Sequence, residues 1–69
     1  MNTNPLVVRY ASVVRSARAK IALIKSFDGL GKYENRMTRL YECGALSAGE
    51  FGAIIGLIAD REVEMDLAA

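Results

Sequence analysis

Ser47-Ala48-Gly49-Glu50-Phe51-Gly52-Ala53-Ile54-Ile55-Gly56-Leu57-Ile58-Ala59 opens as a capped helix and then sets glycines inside it. Ser47 is a strong N-cap, and Glu50 completes a Ser-x-x-Glu capping box. Leu46 and Phe51 occupy the two hydrophobic-staple positions around it. The spacing predicts a helix over 48–66. Yet a glycine in a helix interior costs about 1 kcal/mol relative to alanine. Gly49, Gly52, Gly56 and Ala59 recur at intervals of three and four, so they line one side of the helix, and Val63 extends that side. A surface this smooth lets another helix backbone approach closely. Phe51, Ile54, Ile55, Ile58 and Met65 form a bulky side next to it. Together the two sides exceed half the circumference, which predicts contacts in two directions. Either the first helix of the chain covers the small side, or Gly49, Gly52, Ile55, Gly56, Ala59 and Val63 form an interface with another polypeptide.

Upstream of this helix, Gly44 stands where a helical stop belongs, and 44–47 reads as a tight turn. Residues 32–43 read as a second, shorter helix with Tyr33, Met37, Leu40 and Tyr41 on one face. Before it, Asp28-Gly29-Leu30-Gly31 reads as a turn, because two glycines so close favour one. Asn4-Pro5 starts the first helix, with Asn as N-cap and Pro at the first helical position. Its pattern runs from 5 to 27: Val7, Tyr10, Val14, Ala17, Ile21 and Ile24 form an apolar seam. Residues 1–3 are expected to fray. The chain thus reads as a single all-α domain of three helices, a long one followed by a capped hairpin.

Sixty-nine residues with 52% apolar side chains hold more greasy surface than one small domain easily hides. Small domains of this kind are stapled by disulfides, metals or association. Cys43 is the only cysteine and there is no histidine, so neither an internal disulfide nor an ordinary zinc site is available. Homo-oligomerisation is the remaining expectation. The longest apolar run, Phe51 to Ala59, is far short of the ~20 residues a membrane span needs. A cytoplasmic setting is expected, and the unpaired cysteine suits a reducing compartment.

The segment Met37-Thr38-Arg39-Leu40-Tyr41-Glu42-Cys43-Gly44-Ala45-Leu46-Ser47-Ala48-Gly49-Glu50-Phe51 resembles the short C-terminal helical hairpin domain known as SHOCT. Leu40, Gly44, Leu46, Ser47, Glu50 and Phe51 match that family's pattern, whereas Gly49 replaces its usual first Glu. The resemblance implies a non-catalytic interaction or oligomerisation module.

The net charge of +1 conceals two opposed halves. Residues 1–39 carry eight Lys or Arg against Asp28 and Glu34, a balance of +6. Residues 40–69 carry Arg61 against six carboxylates, a balance of −5. The halves can pair within the chain, pair between subunits, or offer the basic one to a polyanion. Arg15, Arg18 and Lys25 form a ridge beside the apolar seam, and Arg9 and Lys20 flank its other edge. These five are the candidate anion-binding residues. Charges beside a seam also set helix pairing, and Asp60, Glu62, Glu64 and Asp66 are available to answer them.

Catalysis fails on inventory. Without histidine, a general base would have to be a carboxylate, Lys, Tyr or the thiol. Cys43 sits at a helix C-terminus, where the dipole disfavours a thiolate. Gly29-Leu30-Gly31-Lys32 lacks the length and the Ser/Thr of a phosphate loop. No catalytic, cofactor or metal site is expected. The expected function is a small binding or regulatory protein, an adaptor or inhibitor of the sort phages and mobile elements encode. Its partner would be itself or another protein. The alternative is an oligomeric binder of nucleic acid or nucleotide through the basic first helix.

Overall fold

The computed structural model describes residues 4–68, so the expected fraying of residues 1–3 lies outside the described residues. It contains three α-helices, α1 (Pro5–Leu23), α2 (Phe27–Glu42) and α3 (Ala48–Ala68), with no strand among the described residues. None of the helices is long and apolar enough to cross a membrane.

The start of α1 follows the local chemistry. The Asn4 side chain accepts from the Leu6 N–H at 2.9 Å, with Pro5 in the first turn. The turn into α3 does likewise. Gly44 adopts a left-handed φ of 84°, and the N–H groups of Ala45 and Leu46 donate to the Leu40 carbonyl. Ser47 Oγ accepts from the Glu50 N–H at 3.1 Å, and Glu50 Oε1 accepts from the Ser47 N–H at 2.8 Å. The capping box is therefore closed in both directions. The third helix starts where expected and continues past 66 to Ala68.

The junction between the first two helices departs from expectation. The glycine turn at 28–31 does not exist: α1 stops at Leu23, and Gly29 and Gly31 lie in the first turns of α2. Ser26 is the N-cap, its Oγ accepting from the Gly29 N–H at 3.0 Å, with Asp28 supplying an acid in the first turn. Glycine matters at position 29 for space. A Cβ there would stand 3.0 Å from Ser26 Oγ and 3.1 Å from Ile24 Cγ2. Leu30, read as a turn residue, is instead only 1% exposed and belongs to the core.

Both α1 and α2 pack on α3, while α1 and α2 hardly approach one another. Arg9 meets Glu50 near one end and Arg61 meets Ile24 near the other, so α1 and α3 run parallel. Tyr41 stacks on Phe51 with ring centroids 4.6 Å apart, which sets α2 antiparallel to α3. The buried core is Ala17, Ile21, Leu30, Met37, Leu46, Ile54 and Ile58. The arrangement is flat and long, 45 × 28 × 15 Å, with a radius of gyration of 13.1 Å. A compact chain of this length would have about 11 Å.

Candidate functional site

The small-residue side of α3 faces away from the rest of the chain. Ile54 and Ile58 are each 1% exposed and point into the core. Gly52, Gly56 and Ala59 lie on the opposite side of the helix by the 3.6-residue period, and all are exposed. A Cβ built on Gly52 or Gly56 would have no heavy atom within 4 Å. The expectation that the first helix covers this side holds only at its N-terminal end. There, the Tyr10 ring comes to 3.9 Å of a Cβ at Gly49. Val63, 59% exposed, and Leu67, 82% exposed, continue the surface to the end of α3. Ile55 does not join it. That side chain is half-buried against the core, one turn on from Phe51 on the α2 flank.

Two arginines tie α1 to α3, and both bonds span long stretches of sequence. Arg9 Nε donates to Glu50 Oε2 at 3.0 Å, and its Nη2 donates to the Ala45 carbonyl at 2.6 Å. Glu50 is thus buried and fully answered, its side chain 4% exposed. The Ser47 backbone N–H, followed by the Ser47 hydroxyl bond and the Arg9 charge, holds its carboxyl below the ordinary carboxylate range against the cost of burial. At the other end, Arg61 Nε and Nη2 donate to the Ile24 carbonyl at 3.1 and 2.9 Å. Ile24 is the C-cap of α1, so this cation sits where the helix dipole favours it. Arg61 Nη1 also reaches Glu64 Oε2 at 3.1 Å.

Of the basic ridge expected on α1, Arg15 and Arg18 lie on the helix and Lys25 does not. Arg9 is spent on Glu50. Lys25 lies beyond the end of α1, in a hollow with Phe27, Arg61 and Glu64. Arg18 lines a cleft with Asp60 and Glu64 of α3. Lys20 lies on the opposite flank, beside the groove between α1 and α2 that holds Tyr33 and Ile54. Burial there raises the Tyr33 phenol, against the opposing influence of the Arg36 charge. Among the described residues, Arg15, Arg18, Lys20 and Lys25 form no salt bridge, and the only ion pair joining the basic half to the acidic half is Arg9–Glu50. Internal neutralisation of the two halves is thus mostly unrealised.

The stagger of α1 against α3 completes the geometry. With Tyr10 beside Gly49 and Ile24 beside Arg61, the first turn of α1 projects beyond the start of α3. The last turns of α3 in turn project beyond the end of α1. Leu6, Val7 and Val8 on the first overhang are 74%, 60% and 50% exposed. No long-range signal in the sequence marks this stagger. Comparison of the chain with protein-family models, curated proteins and solved structures gives no match.

Proposed function

We propose that this chain is a small non-enzymatic binding protein that works by helix–helix contact through the outer face of α3. The observation that carries the reading is the open space over Gly52 and Gly56. Each of these glycines lies inside α3, where alanine would be about 1 kcal/mol better, and nothing inside the chain requires either to be small. A closely approaching backbone from outside would require both. The stripe itself is small or apolar from Gly49 to Leu67, with Asp60 and Asp66 on its margins, and it is walled at one end by Tyr10. The hairpin chemistry at Gly44 and Ser47 agrees with an interaction module of the SHOCT kind, and an exposed Cys43 agrees with a reducing cytoplasm. In that setting the protein would act as an adaptor or inhibitor.

Binding of nucleic acid or nucleotide through α1 is the weaker reading, because Glu50 already holds Arg9 and Lys25 lies beyond the end of the helix. A photo-crosslinking residue at Ala59, with Asn35 on α2 as control, tests the stronger one. Irradiation in the expressing cell should give a covalent adduct with a polypeptide at position 59 and little at 35. Equal, low labelling at both positions refutes it.

A further inference from the structure

We propose that the groove between α1 and α2 is a docking site for an amphipathic helix of another polypeptide, one whose apolar stripe is flanked by carboxylates. The site is separate from the α3 outer face and stands or falls without it.

Shape makes the site. The helices α1 and α2 are joined by the short link 24–26, yet they hardly approach one another. They therefore diverge from the link, with α3 behind them. The hollow between them holds about 320 Å³. Ser16 and Ala17 make a low wall on α1, and Tyr33, Met37 and Leu40 make a high one on α2. Ile54 lies at the bottom. A helix laid there would complete a four-helix bundle around it. An extended segment would find no edge to pair with, since no strand occurs among the described residues. Its backbone N–H and C=O groups would stay unmet.

Charge selects the kind of helix. Lys20 stands on the α1 rim. Arg36 shares the Tyr33 side of α2 by helical period, and its charge reaches the Tyr33 phenol. Both cations are exposed, and neither enters a salt bridge among the described residues. No carboxylate lines the hollow. The α1 helix has none, and Glu34 and Glu42 lie on other sides of α2 by the same period. Glu50 is closed by Arg9. Burial raises the Tyr33 phenol, so its hydroxyl stays protonated and able to donate. A cation on each rim and a donor in the wall suit acids on both flanks of an apolar stripe. Nucleic acid would answer the same cations but gain little from Val13, Met37 and Leu40 between them.

Two synthetic peptides of about 18 residues, long enough to hold a helix, test the proposal. They share one leucine stripe and differ only beside it, with glutamates in one and lysines in the other. Fluorescence anisotropy should show the glutamate peptide binding about tenfold more tightly. High salt should narrow that margin while the complex persists. Lys20→Glu with Arg36→Glu should invert the order. Ser16→Trp, which fills the hollow, should abolish binding, whereas Ala59→Trp on the α3 outer face should leave it unchanged. Each variant is first shown helical by circular dichroism. Equal affinities for the two peptides overturn the proposal, as does loss of binding in Ala59→Trp but not in Ser16→Trp. A complex that salt abolishes altogether overturns the apolar part of it. An oligonucleotide that displaces the glutamate peptide, and itself fails to bind the charge-reversed variant, overturns it in favour of nucleic acid. The Ala59 photo-adduct reports on the outer face separately, so neither site's failure is read as the other's.

Discussion

Replacing Gly52 and Gly56 by alanine should strengthen the fold and weaken the contact at the α3 outer face, and the opposition of the two signs is the informative part. In the single chain neither new methyl meets any atom within 4 Å, so no clash opposes the gain in helix propensity. That gain is about 1 kcal/mol for each glycine, or about 2 kcal/mol for the pair. In a domain of this size each kcal/mol raises the melting temperature by roughly 4–8 °C. Against a polypeptide packed closely on that face the same methyls hold the two backbones apart. A tenfold loss of affinity, about 1.4 kcal/mol, is the expected minimum. Melting the parent and the double variant by circular dichroism reads the first effect, and the yield of the Ala59 photo-adduct reads the second. The variant should melt higher and crosslink less. A variant less stable than the parent would refute the reasoning, because something within the chain would then occupy that face.

The α1–α2 junction offers a second contrast. Gly31→Ala, in open space, should stabilise the chain by about 1 kcal/mol in urea denaturation, while Gly29→Ala forfeits that gain through its contacts with Ser26 and Ile24. Leu30→Ala should cost about 3 kcal/mol in the same assay, as expected for a fully buried leucine; a loss below 1 kcal/mol would contradict its place in the core. Acid should uncover Glu50. Its carboxyl titrates lower in the folded chain than the ordinary glutamate value. Its contribution is therefore present above that value and disappears as pH falls through the lower folded value. Thermal melts from neutral pH to pH 2 should show Glu50→Gln less stable at neutrality, with the gap to the parent closing in acid.

Local chemistry made the α2–α3 turn legible from the sequence. Gly44, Ser47 and Glu50 each act on neighbours within a few residues, so their meaning survives without knowledge of the rest of the chain. The α1–α2 junction was less legible because two signals competed there. Gly29 and Gly31 suggested a turn, while Ser26 and Asp28 offered a helix start that lacked the reciprocal Glu of a full capping box. Reading the glycines as a turn misplaced Leu30 and carried α1 past its end, which also carried Lys25 into a ridge it does not join. The small-residue stripe was readable from period alone. Its exposure was not, since helix period says which residues share a side but not what covers that side. Arg9 and Arg61 were beyond reach for a related reason: their partners lie 41 and 37 positions away, and no local pattern announces such a bond.

Because α1 and α2 each pack on α3 and hardly touch one another, the molecule has two seams that can open separately. Contiguity favours the α2–α3 hairpin as the unit that forms early, with α1 docking onto it afterwards, held at its two ends by Arg9 and Arg61. Protection of backbone amides against hydrogen exchange should then fall into two levels, a shallower one for α1 and a deeper one shared by α2 and α3. Loosening α1 would expose Ile21, Ala17 and the inner flank of α3 together while the hairpin stays helical. Such a partly open form would present a surface quite different from the one the chain presents when closed.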